Sequence, residues 1–253
     1  MMNFQEQTVS AKLKIQRTLQ LKVLEDINMS IRPGEVVAFV GENGSGKTTL
    51  IKLLCRLYDP IDGNITLDGT DLCQFETTAL RRQISVIFQD YAQYHMTARE
   101  NIWFGNTALP PDHECIVAAA RRSGADDVIS ALPHGYDTIM GKWLEDGEEL
   151  SIGEWQKVAL ARAFVRDAQI IVLDEPTSSM DAKAEYEVFQ SFRRLVSGRT
   201  AILISHRFST VRMADRIYVL KHGSVIEGGT HEDLVRVGGT YARLFEMQAQ
   251  HYR

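Results

Sequence analysis

The spacing of apolar residues switches between a period of two and a period near 3.6 along this chain, and the switches mark its elements. Over residues 11–33 apolar and polar positions alternate, as Leu13/Ile15, Leu19/Leu21/Val23 and Ile27/Met29/Ile31, until Arg32-Pro33-Gly34 breaks the run. This predicts short antiparallel strands. Val36–Val40 is continuously apolar and β-branched, the mark of a strand buried on both faces. Leu50, Ile51, Leu53, Leu54 and Leu57 then recur at helical spacing. Gly63–Gly69 reads as a strand between turns, and Ile84–Phe88 as a buried strand ending at Gln89. Between residues 91 and 158 the pattern is helical: Thr97-Ala98-Arg99-Glu100 has the form of a capping box, Pro110-Pro111 open a helix and Gly124 closes it. Strand character returns at Ile170–Leu173 and Ala201–Ile204, with a helix from Asp181 to Val196 between them and Gly198 as its stop. Ile217–Leu220, the turn Lys221-His222-Gly223 and Ser224–Ile226 predict a hairpin, after which Thr230 caps a helical tail. The pattern describes a single α/β domain. Residues 1–90 and 159–253 form the core with an N-terminal antiparallel β subdomain, and residues 91–158 form an inserted α-helical subdomain.

Composition narrows the function classes. A net charge of −5 provides no basic field for nucleic acid. The pairs Arg81-Arg82, Arg121-Arg122 and Arg193-Arg194 read as solvated helix surface rather than binding sites. Cys55, Cys73 and Cys115 have no metal-like spacing and are expected as reduced thiols. No run approaches the ~20 apolar residues of a membrane span, and no signal-peptide pattern opens the chain. A soluble chain is expected.

The chemistry concentrates at Gly41-Glu42-Asn43-Gly44-Ser45-Gly46-Lys47-Thr48-Thr49, a complete phosphate-binding loop of the form G-x-x-x-x-G-K-[ST]. The alternative, a chance glycine-rich turn, is disfavoured by context, because a buried strand precedes the loop and a helix follows it. Glycines let backbone N–H groups turn inward around a phosphate, and the helix N-terminus adds partial positive charge. Lys47 is placed to reach the β- and γ-phosphates, and the Thr48 hydroxyl to ligate Mg²⁺. Further along, the apolar strand Ile170–Leu173 ends in Asp174-Glu175. Asp174 would hold Mg²⁺ through water, and Glu175 would polarise a water for attack on the γ-phosphate. Strands ending in an acid are common, and a lone histidine such as His206, just after Ala201–Ser205, is usually loop surface.

Together these residues resemble the nucleotide-binding domain of ABC transporters, over nearly the whole chain. Gly41–Thr49 match the first Walker motif, Gln89 the Q-loop glutamine and Asp174-Glu175 the second Walker motif with its catalytic acid. Ser151-Ile152-Gly153-Glu154 resembles the family signature, Ser178-Ser179-Met180-Asp181 the D-loop and His206 the switch histidine. Leu67-Asp68-Gly69, Leu80-Arg81-Arg82, Gln89-Asp90, Glu100-Asn101-Ile102 and Glu227-Gly228-Gly229-Thr230-His231 resemble the exporter-type branch. The resemblance implies a P-loop NTPase (RecA-like) core that binds ATP and hydrolyses it with Mg²⁺. It also implies that two such domains, alike or different, dimerise head to tail around ATP. Ser151, Gly153 and Glu154 of one would face the γ-phosphate held by the loop of the other. Gln89 would join the Mg²⁺ shell with Thr48 and Asp174 and sense a transmembrane domain. Glu175 and His206 would be catalytic, Asp181 would relay between sites, and the domain would sit at the cytoplasmic face of a membrane.

The chain departs from that pattern in places. Ile152 stands where the family usually has glycine, and Glu154 where it usually has glutamine. A β-branched residue resists positive φ, so altered contacts across the dimer are expected. Between Phe4 and Phe39 there is no aromatic residue to stack on adenine, so weak base selectivity is expected, with Ile15, Arg17 or Leu19 as substitutes. The stretch Gly141–Gly147 also differs from the exporter pattern. Two other classes are weighed. A soluble ABC-type ATPase acting on DNA or ribosomes would carry long coiled coils or a second such domain. A P-loop small-molecule kinase would lack the signature and the switch histidine.

Overall fold

A computed structural model describes residues 9–17, 21–142, 147–175, 196, 198–205 and 207–251. In chain order it begins β1 (Val9–Arg17), β2 (Leu21–Ile31), β3 (Val36–Val40), α1 (Lys47–Leu54), β4 (Asp62–Leu67), β5 (Thr70–Asp71) and α2 (Thr77–Arg82). There follow β6 (Ile84–Ile87), α3 (Ala98–Trp103), α4 (Glu114–Ser123), α5 (Ala125–Ser130), β7 (Ile139–Met140), β8 (Gly147–Glu148) and α6 (Ile152–Phe164). The remaining described elements are β9 (Ile170–Asp174), β10 (Thr200–Ile204), α7 (Phe208–Val211), β11 (Arg216–Lys221), β12 (Ser224–Gly229), α8 (His231–Val237) and α9 (Thr240–His251). Two compact units result. One comprises Met1–Ile84, Gln169–Asp174 and Gly198–Arg253, the other Ser85–Ala168 and Glu175–Ser197.

The first unit holds two sheets. Its parallel sheet places β3 between β10 and β11, with β9 beside β10 and β12 antiparallel on β11. Every residue of β9 and β10 is buried, which explains their unbroken apolar runs. Gln83 closes the first segment by accepting at its carbonyl from the N–H groups of Gln169 and Ile170. The second sheet is antiparallel, in the order β2-β1-β4-β5. Here the expected run of short strands resolves into two, because Leu21/Val23 and Ile27/Met29/Ile31 fall on one strand, β2; Leu19 lies outside the described residues. A left-handed Asp26 (φ 51°) lets the strand continue. Opposite it the register jumps from Leu13↔Ile27 to Ile15↔Leu24, a bulge that shifts the alternation. The three cysteines are free, and burial pushes the Cys55 thiol up to about 12. The hairpin of β11 and β12 and the Thr230 cap on α8 are as the pattern predicts.

The second unit is mainly helical. Thr97 and Glu100 form the capping box at α3, and Gly124 ends α4 with a φ of 73°. The prolines 110 and 111 do not open α4. That helix starts at Glu114 under the His113 ring, and Pro110 accepts from the His113 N–H in the preceding turn. A residue before proline is driven out of the helical region, so Pro111 keeps Pro110 in a turn. Gly105 approaches α6 so closely that a Cβ there would lie 1.9 Å from the Arg162 carbonyl oxygen. All of α6 to Phe164 therefore belongs to this unit, which begins at Ser85, whereas the pattern divides the chain at 90 and 158. Among the described residues no helix is long and apolar enough to cross a membrane.

Candidate nucleotide site

In the first unit the loop between β3 and α1 takes its shape from close backbone packing. Gly41 (φ 149°) lies so near β11 that a Cβ would be 2.2 Å from the Leu220 carbonyl oxygen. At Gly46 (φ 103°) a Cβ would be 2.5 Å from Leu24 Cδ2. Neither position tolerates a side chain. Gly46 is also the N-cap of α1, which has no side-chain cap and no acid in its first turn. The first-turn N–H groups are thus left for an anion, at the positive end of the helix.

Lys47 is only 8% exposed. Its ammonium donates to the carbonyls of Gly41 (2.8 Å) and Glu42 (3.0 Å) and to Ser45 Oγ (3.3 Å). The cation therefore lies inside the loop, while Glu42, Asn43 and Gly44 are exposed along its rim, Ser45 is buried and Thr49 half-buried. Thr48 Oγ1 donates to Asp174 Oδ2 at 2.9 Å, across 126 residues of chain. A hydroxyl and a carboxylate in contact are a partial set of hard oxygen ligands, of the kind Mg²⁺ completes with phosphate oxygens and water.

In the second unit Gln89 sits exposed in a turn directly after β6. Glu175 adopts a left-handed φ of 52°. Such strain in a non-glycine residue is typically retained at functional positions. Ser151 is the N-cap of α6 and forms a full capping box with Glu154. The Glu154 carboxylate accepts from both the Ser151 N–H (2.8 Å) and the Ser151 hydroxyl (2.7 Å). Gly153 has open space around its missing side chain, so local packing does not require a glycine there. Ile152 needs no positive φ. It is the first residue of α6 and is absent from the positive-φ residues, so its branched side chain strains nothing and points to solvent. Asp181 and His206 lie outside the described residues, as do 143–146 and 176–180.

Residues without an assigned role in the sequence pattern support this unit. Asn101 is fully buried, and its amide donates to the carbonyls of Tyr94, Met96 and Thr97. Arg162 donates to the Asn101 and Ala92 carbonyls, and its guanidinium lies 4.8 Å from the centre of the Tyr94 ring. The Tyr91 hydroxyl donates to the Ile152 carbonyl at 3.2 Å. Asn101 falls within a quoted motif, but only its burial reveals what it does. Tyr91 carries no local signal, since its partner is 61 residues away.

A parallel sheet whose strand β3 feeds a glycine loop and helix, with a lysine opening the helix and an acid at the end of strand β9, defines a P-loop nucleotide-binding domain. The narrower assignment follows from similarity. The profile of the ABC transporter family matches residues 24–178, and the chain belongs to that family. It is 46% identical over 89% of its length to an ATP-dependent lipid A-core flippase of Syntrophus aciditrophicus (strain SB), covering 37% of that protein. It is 42% identical over 89% of its length to the leukotoxin translocation ATP-binding protein LktB of Mannheimia haemolytica, covering 31% of it. Among solved structures, a bacterial Atm1-family ABC exporter with ATP bound superposes with a TM-score of 0.90 at 35% identity. The match covers 98% of this chain and 42% of the other. The chain is thus an exporter-type ABC nucleotide-binding domain, spanning well under half the length of these relatives.

Proposed function

We propose that this chain binds Mg²⁺–ATP and hydrolyses it to drive export across a membrane, working as a head-to-tail pair with a second such domain and with a transmembrane domain. The observation that carries the reading is the pairing of Thr48 with Asp174 beside the buried Lys47. It joins the phosphate cradle to the acid of the second Walker motif. Thr48, Asp174 and Gln89 would hold Mg²⁺, which neutralises phosphate charge when bound. Lys47 and the α1 N-terminus orient the phosphates. Glu175 takes a proton from water as the water oxygen bonds to the γ-phosphorus and the bond to the β-phosphate bridging oxygen breaks, releasing ADP. His206 would hold the γ-phosphate, and Asp181 would connect the two sites. Ser151, Gly153 and Glu154 would close the site from the partner copy. The domain would work at the cytoplasmic face. No nucleic-acid role is proposed, since a net charge of −5 offers no basic field. Comparable identity to a protein named a flippase and to one named for leukotoxin translocation supports a cargo choice made outside this domain.

Mixing variants tests the reading. Glu175→Gln damages the loop half of a site and Ser151→Arg the signature half. A mixed pair then carries both lesions in one site and none in the other. Two nearly inactive variants should regain phosphate release on mixing at high concentration, and wild-type specific activity should rise with concentration. Activity independent of concentration, with no recovery on mixing, would indicate a self-contained P-loop enzyme.

A further inference from the structure

The turn carrying Gln89 runs into residues 91–97, and this segment is fastened to α6 at two levels. At the far level Arg162 donates to the Ala92 carbonyl at 2.9 Å and stacks on Tyr94, while Asn101 gathers the carbonyls of Tyr94, Met96 and Thr97. At the near level the Tyr91 hydroxyl donates to the carbonyl of Ile152, the first residue of α6. The two levels are ten residues apart on the helix, or about 15 Å at 1.5 Å per residue. A link at one level would let α6 pivot. Links at both fix its direction relative to the Gln89 turn.

The near link falls at a telling residue. Ile152 stands between Ser151 and Gly153, and its side chain is 61% exposed, so side-chain packing does little to hold the first turn. Its carbonyl is held instead, by a hydroxyl two residues beyond Gln89.

We propose that Tyr91 is a positioning residue that transmits displacement of the Gln89 turn to the start of α6, setting where Ser151 and Gly153 are presented. The inference rests on the ATP-binding reading above. It ties the first turn of α6 to the Gln89 turn within the second unit.

Tyr91→Phe removes only the hydroxyl. The test is hydrogen exchange on the full chain, wild type and variant, at concentrations too low for pairing, with and without Mg²⁺–ATP. In wild type, ATP should change exchange at residues 41–49, 88–92 and 152–156. In the variant the first two changes should persist and the third should disappear. The unfolding temperature and the ATP affinity should stay the same. At pairing concentrations kcat should fall about fivefold with KM nearly unchanged, as loss of one neutral hydrogen bond allows. If ATP leaves 152–156 unchanged in wild type, or changes it equally in both chains, the proposal is overturned. If ATP changes nothing at 41–49 in either chain, the ATP-binding reading itself fails. Arg162→Lys serves as a second variant, because it weakens the far link while Tyr91 remains; persistence of the ATP response at 152–156 there is expected, and its loss would move the role from Tyr91 to Arg162.

Discussion

The starts of α1 and α6 are both helix N-termini proposed to meet a nucleotide phosphate, one its own and one a partner's, yet they are built in opposite ways. At α1 the N-cap is Gly46, without a side-chain cap and without an acid in the first turn. At α6 the N-cap is Ser151, closed by a complete capping box and bearing the acid Glu154. A glycine start forgoes only about a few tenths of a kcal/mol of helix stability relative to a side-chain cap. The phosphate loop accepts that loss, and a ligand supplies the missing acceptors. The α6 start is stable by itself, and its donors already serve a carboxylate. A phosphate arriving there competes with Glu154 for the Ser151 hydroxyl. The first region thus leaves its first-turn donors open to an anion, while the second already engages Ser151 with Glu154.

The contrast predicts where each lesion will act. The largest effect should come from the proposed general base: Glu175→Gln should slow phosphate release by roughly 10²–10⁴-fold, with ATP affinity nearly unchanged in a parallel titration. Near-normal turnover would move the general base elsewhere. Lys47→Ala should act on binding instead. Loss of charge-assisted hydrogen bonds should weaken affinity for a fluorescent ATP analogue about 10- to 150-fold. Unchanged affinity would remove the ground for placing the nucleotide at the α1 start.

Base selectivity comes next in size. An aromatic stack on a base contributes ~1–3 kcal/mol in nucleic-acid sites, and no aromatic lies between Phe4 and Phe39. GTP should therefore compete within about tenfold of ATP. Strong ATP preference would show another residue reading adenine. The smallest effect tests the α6 side directly. Glu154→Gln keeps the capping box, since glutamine also serves at that position, but removes the negative charge. ATP-driven pairing should tighten about two- to fivefold, read by sedimentation in a Glu175→Gln background. Weaker pairing would mean that the carboxylate helps to receive the nucleotide.

How far each region can be read from the chain follows from how its contacts are distributed. The phosphate loop is legible because nine consecutive residues contain it and their backbone provides the donors. The Thr97 box and the Gly124 stop are local for the same reason, since partners three residues apart meet in any helix start. Ser151 and Glu154 have the identical spacing. Their assignment to phosphate is one use of that spacing, and the capping box is another that the chain itself fulfils. The proline pair misleads because the clash between Pro111 and the residue before it outweighs proline's suitability for a helix start.

By itself, then, the sequence determined the strand-loop-helix, the acid-ended strand, the helical stretch beyond Gln89 and the membership in a family, because each is written in contiguous residues. Only the tertiary structure decided that Thr48 meets Asp174, that Asn101 and Arg162 gather residues 92–97, and that Tyr91 holds the first carbonyl of α6. Those partners lie up to 126 residues apart, and no local period encodes which distant carbonyl or carboxylate a side chain will face until the sheet and helices have packed.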